Sequence, residues 1–267
     1  MSWSGLKRGR RYFNPSLTYQ PRPEVEETLS LLPQDARICD LGAGGRRITA
    51  GTFTVDGFET RETDLVCDLH EVSLPTGCFD AIFCTGTLEH VADPSRVLSE
   101  IARLLVPGGH VHVEVPFIQG FHADPEDFWR WTLPGLRLFC RRGGFEEVRS
   151  GVHMGPSSGL AWVAHAYVEE WAPNGVSGKV MSRIARIAIA PLKYLDRWVG
   201  TKEAGHRIAS GVFFVGRKPA PHPGPLPQGE RESETFFPEG GGSGSALIPA
   251  DGQEVLSLAP LGERGKG

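Results

Sequence analysis

Ile-Cys-Asp-Leu-Gly-Ala-Gly-Gly, residues 38–45, is the stretch that decides the fold of this chain. Its apolar residues predict a short buried strand that stops at an acid, Asp40, and breaks into a glycine turn. Glycine allows the backbone to approach a ligand where a Cβ would clash. A strand that leads into such a turn is typical of open α/β sheets, which bind nucleotide-like ligands beyond the carboxyl ends of their strands.

Further strands and helices follow this stretch in alternation. Residues 52–56 and 64–68 predict a second and a third strand, and both end in acids, Asp56 and Asp68. Residues 79–84 and 110–115 predict a fourth and a fifth. Between these two lies the clearest helix, which Asp93 can cap, Pro94 can begin and residues 106–109 end. Strand–helix alternation favours a mostly parallel sheet covered by helices.

The connections near the glycine turn are short. Only about ten residues separate Gly42 from the second strand, so the helix after the turn is expected to be very short. Seven residues join Asp56 to Asp64, fewer than the dozen or so that a parallel crossover usually needs.

Outside this core, the pattern predicts helices at 23–32, 133–142 and 157–171 and strands at 145–152 and 210–216. Residues 179–199 form an amphipathic stretch bent at Pro191, with basic residues, Lys193 among them, opposite the apolar side. One interpretation is a helix that packs its apolar side on the domain. The alternative is a basic helix in weak contact with a membrane surface.

The composition is that of a globular protein. The 267 residues carry a net charge of −4 and are 40% hydrophobic, so no strong overall field attracts nucleic acid. No apolar stretch approaches the roughly 20 residues that span a bilayer, and no signal sequence is indicated. Five cysteines without a CxxC pair predict a reduced, cytoplasmic protein with neither a metal site nor disulfides. We expect an N-terminal arm and helix over 1–36, one domain over 37–218, and a disordered low-complexity tail over 219–267.

Carboxylates at neighbouring strand ends suit a ligand with a ribose, an adenine and a positive charge, because they accept hydrogen bonds and offset a cation. Four further motifs follow in order: Asp40-Leu41-Gly42-Ala43-Gly44, Phe79-Asp80, Leu88-Glu89-His90-Val91 and Val106-Pro107-Gly108-Gly109. Over about residues 37–115 the chain thus resembles the class I S-adenosylmethionine-dependent methyltransferases of the small-molecule type. The resemblance implies a Rossmann-like three-layer α/β sandwich with a mostly parallel seven-stranded sheet and an antiparallel edge strand.

The same resemblance implies S-adenosyl-L-methionine as the cofactor and assigns residues to it. Asp40, Gly42 and Gly44 would hold its methionine part, and Asp56 its ribose. Asp68 and Leu69 would meet the adenine, and Thr85 would line the pocket. The family usually has a third glycine where this chain has Arg46. A dinucleotide site fits less well, since Arg47 stands where GxGxxG needs glycine or alanine.

The acceptor side is predicted from chemistry. Methyl transfer to a hydroxyl is helped by a base that titrates near neutral pH, which favours histidine; the candidates are His90 and His122. Asp127 and Arg130 either bind substrate or pair with each other. We therefore expect O-methylation of a small-molecule or saccharide (glycan) acceptor. A non-catalytic cofactor-binding module and a nucleic-acid methyltransferase remain as alternatives, although no nucleic-acid partner is expected.

Overall fold

The computed structural model describes residues 23–123, 125–199 and 203–220, with the backbone alone at 203 and 204. Seven strands form a single sheet in the order β3-β2-β1-β4-β5-β7-β6. The strands are β1 (Ile38–Leu41), β2 (Phe53–Asp56), β3 (Leu65–Val66), β4 (Phe79–Thr85), β5 (Leu105–Pro116), β6 (Glu146–Met154) and β7 (Gly211–Arg217). The predicted arm over 1–22 and almost all of the predicted tail lie outside the described residues.

The strand pairing matches the predicted Rossmann-like class. The first five strands pair in parallel, whereas β7 runs antiparallel to both β5 and β6. The antiparallel pairing is therefore confined to one side of the sheet. The carboxyl ends of β1, β2, β3 and β4 meet at one edge, which is where such folds place their ligands.

Six α-helices accompany the sheet in the described residues. They are α1 (Pro23–Ser30), α2 (Pro94–Leu104), α3 (Leu133–Arg142), α4 (Pro156–Trp171), α5 (Val176–Ile189) and α6 (Asp196–Val199). Three 3-10 helices are added at Leu88–His90, Ala190–Leu195 and Glu203–Arg207. None of the described helices is long and apolar enough to cross a membrane.

The α2 crossover confirms the sequence prediction. The Asp93 side chain accepts hydrogen bonds from the backbone N–H groups of Ser95 and Arg96, and Pro94 begins the helix. One face of α2 is buried in the main core, together with residues of β4 and β5. Burial of each apolar side chain contributes about 1.5–3 kcal/mol to stability, so this face stabilises the packing of α2 on β4 and β5. The buried face consists of Val97, Leu98, Ile101 and Leu104.

The segment between β1 and β2 corrects one expectation. Residues 42–52 contain turns and bends but no helix, so even the very short helix expected there is absent. Side chains hold the segment instead. The Arg47 guanidinium donates to the Thr52 carbonyl oxygen at 2.6 Å and to both carboxylate oxygens of Asp64 at 2.7 Å. Residues 57–64 are likewise free of helix, and β3 is only two residues long.

The amphipathic stretch at 179–199 divides at its predicted bend. The α-helix ends at Ile189, and Ile189 and Leu192 pack against Ala161 and Ala190 in a small second core. Val180, Ile184 and Ile187 remain more than half exposed, so α5 keeps an apolar surface. Lys193, expected on the polar side, is buried instead. Burial lowers the pKa of its ammonium group.

Candidate active site

A cleft of about 570 Å³ opens at the carboxyl edge of the parallel strands. The glycine turn after β1, the end of β2, the segment after β3 and the loop after β4 each contribute to its walls. Pockets at this position of an open α/β sheet are the usual ligand sites. Its lining includes Gly42, Gly44, Asp56, Phe58, Asp68, Leu69, His70, Gly86, Thr87, His90, Pro125 and Phe128. A second, wider depression is lined by residues of α4, α5 and the turn between them, and no residue at a strand end lines it.

The glycine turn is held close to its neighbours. Gly42 has φ +81°, and its N–H donates to the Val55 carbonyl oxygen at 2.8 Å. A Cβ at Gly42 would lie 2.2 Å from Thr87 Oγ1. Gly44 has φ +57°, and a Cβ there would meet no atom within 4 Å. The turn therefore requires glycine at 42 for both conformation and space, whereas at 44 only the conformation demands it.

Asp56 joins the turn to the second strand. One carboxylate oxygen accepts the Gly44 N–H at 2.8 Å, and the other accepts the Phe58 N–H at 3.0 Å. Each carboxylate oxygen has a second acceptor site. Asp56 is thus fixed by the backbone and can still accept hydrogen bonds from a ligand in the cleft.

Asp68 lies across the cleft and is mostly exposed. Its Oδ1 accepts the backbone N–H of His70 at 2.9 Å and lies 2.6 Å from His70 Nδ1. These contacts hold the pKa of Asp68 below its usual value. Leu69 beside it is nearly buried. The sequence-predicted residues Gly42, Gly44, Asp56, Asp68, Leu69 and His90 therefore share one cleft.

Asp40 and Thr85 are placed differently. Both are buried, and neither is among the lining residues of the cleft. Thr85 is covered by Arg46, whose Nη2 donates to the Thr85 carbonyl oxygen at 2.7 Å and to Thr85 Oγ1 at 2.6 Å. The Arg46 guanidinium thus contacts the threonine that the resemblance placed at the pocket, and Arg46 is likewise not among the lining residues of the cleft. The sequence offered one sign of this, the unusual arginine at the third glycine position.

The segment after β5 is tied to the 3-10 helix Leu88–His90 by backbone contacts. The Phe128 N–H donates to the Glu89 carbonyl oxygen at 2.7 Å, and the Trp129 indole donates to the Val91 carbonyl oxygen at 3.0 Å. His90 Nδ1 lies 2.5 Å from the Glu126 carbonyl oxygen. These contacts place the aromatic segment along one wall of the cleft.

Asp127 and Arg130 pair with each other. The Arg130 guanidinium donates to both Asp127 carboxylate oxygens and also to the Gly120 carbonyl oxygen at 3.1 Å. Asp127 additionally accepts the His122 N–H at 2.8 Å. Burial alone would raise the pKa of Asp127, but these donors hold it below its usual value. Neither residue is among those lining the cleft, and the pair shapes the segment that carries His122.

Glu89 is a residue for which the sequence predicts no role of its own. Its side chain is 3% exposed, and burial raises its pKa to about 7. Its neighbour His90 lies edge-on to His122, with ring centroids 5.3 Å apart. The two predicted catalytic histidines are therefore together, beside a buried carboxyl group.

Part of the chain is similar to known proteins. Residues 52–113 match the family described as Methyltransferase domain. The chain is 27% identical over 148 residues to a ubiquinone biosynthesis O-methyltransferase of Dechloromonas aromatica, covering 44% of this chain and 61% of that protein. It is 33% identical over 92 residues to a tRNA U34 carboxymethyltransferase of Syntrophotalea carbinolica, covering 30% and 28%. The chain thus spans less than two thirds of these curated relatives.

Solved structures include a similar one, the 1,6-didemethyltoxoflavin-N1-methyltransferase of Burkholderia thailandensis with S-adenosylhomocysteine bound. It is 19% identical, with a TM-score of 0.49 over 81% of this chain and 84% of that one. The family match begins just before β2 and ends within β5, so it includes the cleft-lining acids and the Leu88-Glu89-His90-Val91 segment. Over this region the chain is similar to the family described as Methyltransferase domain.

Proposed function

We propose that the protein is a methyltransferase that uses S-adenosyl-L-methionine to methylate a hydroxyl group of a small-molecule or saccharide acceptor. The observation that carries this proposal is the single cleft that joins the glycine turn, two acids and His90. The cleft fits the cofactor in shape and chemistry, because Gly44 leaves open space where a Cβ would stand and Asp56 keeps acceptor sites.

Each part of the cofactor has a partner in this proposal. Asp56 accepts the ribose hydroxyls, Asp68 accepts the adenine amine, and Leu69 packs on the adenine face. Gly42 and Gly44 face the methionine part through their backbone. Asp40 and Thr85 support the cofactor site without lining the cleft. Asp40 is buried within β1, and Thr85 accepts the hydrogen bonds of Arg46. When bound, the cofactor supplies an electrophilic methyl group on a sulfonium.

Arg46 is the group that we propose for the methionine carboxylate. Both of its bonds to Thr85 come from Nη2, so within the described part of the chain Nε and Nη1 are left to donate. An arginine fork matches a carboxylate in geometry as well as in charge. Arg46 would thereby take over binding that the absent third glycine supports in related sequences.

His90 and His122 are the proposed catalytic residues for the acceptor. A carbonyl oxygen can only accept a hydrogen bond, so His90 Nδ1 carries the proton and donates it to the backbone carbonyl oxygen of Glu126. The lone pair is then on Nε2, from which His90 can take the hydroxyl proton. His122 lies beside His90. Asp127 and Arg130 hold the segment that carries His122, and we propose that they influence substrate binding through this segment and not by direct contact.

Two measurements test the proposal. Isothermal titration calorimetry with S-adenosylmethionine should show one site, and the absence of binding at millimolar cofactor would refute it. Incubation with methyl-labelled cofactor and fractionated cell extract should label a small-molecule fraction. If His90→Ala and His122→Ala lose labelling but still bind the cofactor, the enzyme is favoured over a binding module.

A nucleic-acid acceptor is the second candidate, favoured by the tRNA U34 carboxymethyltransferase among the relatives. The net charge of −4 opposes it, because nucleic-acid binding depends on neutralising phosphates with basic side chains. Labelled tRNA from the same incubation would establish this alternative in place of the small-molecule acceptor.

A further inference from the structure

Glu89, His90 and His122 form a cluster of three metal-ligating side chains. One carboxylate oxygen and one ring nitrogen from each histidine lie within 4.8 Å of one another. Two of the residues belong to the 3-10 helix after β4, and the third belongs to the segment after β5. The cluster therefore depends on the backbone contacts that join these two segments.

The histidine tautomers suit metal binding. His90 Nδ1 donates to the Glu126 carbonyl oxygen, and His122 Nδ1 lies 3.1 Å from the Gly120 carbonyl oxygen, which can only accept. Both imidazoles therefore hold their proton on Nδ1 and leave the Nε2 lone pair for a ligand. A metal-bound histidine commonly makes this kind of second contact, which fixes its ring and raises its basicity.

Arg130 does not change this assignment. Its Nη2 lies 3.3 Å from His122 Nδ1, but the two protons on Nη2 already point to better acceptors. One goes to Asp127 Oδ2 at 2.6 Å and the other to the Gly120 carbonyl oxygen at 3.1 Å. His122 Nδ1 is thus a second donor to the same carbonyl oxygen.

Glu89 supplies an independent observation. Its Oε2 is buried and has no hydrogen-bond partner among the described residues, and its Oε1 lies 3.9 Å from His90 Nε2. A buried carboxylate oxygen without a partner is costly unless a cation or a donor meets it. The Arg130 guanidinium directs its hydrogen bonds to Asp127 and to backbone carbonyl oxygens, so its charge acts on Glu89 only through space.

We propose that Glu89, His90 and His122 bind a divalent transition-metal ion of the Zn²⁺ type. Two imidazoles and one carboxylate form a donor set that Zn²⁺ uses in sites which keep an open position. Tetrahedral coordination at about 2.0–2.1 Å brings ligand atoms to about 3.3 Å of one another, so any pair of these ligand atoms closes by at most about 1.5 Å. Of the three ligands only His90 lines the cleft, so substrate would reach the open position from the His90 side of the cluster.

The ion gives the site a specific role toward its substrate, and this part rests on the proposed methyl transfer. A hydroxyl oxygen that enters the open position is bound by the metal, which lowers the pKa of the hydroxyl. His90 and His122 then act on the acceptor through the ion instead of as the bases proposed above. The hydroxyl proton passes to water in the cleft, and the oxygen takes the methyl group as the sulfonium C–S bond breaks and leaves a neutral thioether. The acceptor class narrows to hydroxyl compounds that can coordinate a metal, such as vicinal diols of saccharides or catechols.

The test uses the full chain after treatment with EDTA and dialysis. Titration with Co²⁺ should give visible absorption bands of a low-coordinate nitrogen–oxygen site at one ion per chain, and Zn²⁺ should displace them. Glu89→Gln and His122→Ala should each weaken Zn²⁺ binding at least tenfold. His70→Ala removes another histidine of the cleft and should leave Zn²⁺ affinity unchanged.

Calorimetry with S-adenosylmethionine on every variant shows whether the cleft remains folded. Two outcomes would overturn the metal site and leave the proposed methyltransferase intact. In the first, the wild type binds S-adenosylmethionine but gives no Co²⁺ bands. In the second, Glu89→Gln and His122→Ala still bind S-adenosylmethionine and have the same Zn²⁺ affinity as the wild type. Metal binding without S-adenosylmethionine binding would support the metal site and refute the proposed methyltransferase. Wild-type binding that only the cluster variants lose supports the site.

Discussion

Replacement of Gly42 by alanine is the sharpest test of how the glycine turn is built. The left-handed conformation at φ +81° costs a non-glycine residue about 1–2 kcal/mol. The new Cβ would also lie 2.2 Å from Oγ1 and 2.3 Å from Cγ2 of Thr87. Relief of such overpacking typically costs about 1–3 kcal/mol. We therefore expect Gly42→Ala to lower the free energy of unfolding by roughly 2–5 kcal/mol.

The matched control is Gly44→Ala. Gly44 is also left-handed, at φ +57°, but its Cβ would meet no atom within 4 Å. Only the conformational cost of about 1–2 kcal/mol should remain. Urea unfolding followed by tryptophan fluorescence measures both variants, and calorimetry with S-adenosylmethionine reports the effect on the cleft.

A double-mutant cycle isolates the clash with Thr87. Thr87→Ala alone removes the hydroxyl contacts to the carbonyl oxygens of Leu41 and Gly42 at 3.2 and 3.3 Å, at a cost of about 1 kcal/mol. In the Gly42→Ala background the same change removes the two closest atoms, so it should recover stability. If Gly42→Ala and Gly44→Ala prove equally stable, or if Thr87→Ala adds its full cost in both backgrounds, the steric reasoning is wrong.

Three further predictions concern the cleft and its surroundings. Asp56→Asn should raise the Kd for S-adenosylmethionine about tenfold in calorimetry, since one charge-assisted hydrogen bond is worth about 1.5 kcal/mol or more; unchanged affinity would remove Asp56 from the cofactor site. The Arg47 guanidinium holds the pKa of Asp64 below its ordinary value of 3.8, so this carboxylate stabilises the fold above that pH and loses its contribution as pH falls through the lower folded-state pKa. Wild type and Asp64→Asn should therefore differ in urea midpoint at pH 7 and converge in acid, and a gap that widens in acid would contradict this sign. Ile184 is 63% exposed on α5, so Ile184→Glu should reduce co-sedimentation with anionic vesicles more than Val148→Glu on β6; equal or absent vesicle binding would exclude membrane contact through this helix.

The strands and their acids could be predicted because each depends on a few adjacent residues. An apolar run that ends in an acid gives the same signal in isolation as in the sheet, and Asp56 and Asp68 both reach the cleft. The α2 cap at Asp93 is equally local. The absent helix after β1 is different, because the sequence limited its length without showing what would replace it.

The contacts that complete the site join distant parts of the chain. Arg46 meets Thr85 and Glu89 meets His122, pairings separated by more than thirty residues. Periodicity carries no information on such pairs. The cysteine pattern predicted no metal site, and the Glu–His cluster that we propose combines Glu89, for which no role was predicted, with two histidines that were predicted only as bases. Lys193 is a similar case: helical spacing put it on the polar side, and packing between α4 and the 3-10 helix after α5 buried it.

Arg46 connects these observations, because it stands where the resemblance predicts a glycine followed by a short helix. A helix N-terminus would offer about half a positive charge to an anionic ligand, and no helix forms here. The guanidinium supplies a whole charge at the same turn. Arg46→Gly restores the family pattern yet should weaken S-adenosylmethionine binding by at least tenfold, since hydrogen bonds to charged groups contribute about 1.5–3 kcal/mol. Arg46→Lys, which keeps the charge without the fork, should lose less. Calorimetry at low and at high salt separates the two effects, because a lost ion pair flattens the salt dependence of affinity. Equal or tighter binding by Arg46→Gly would mean that the turn needs glycine more than charge, and that Arg46 only ties the turn to Thr85.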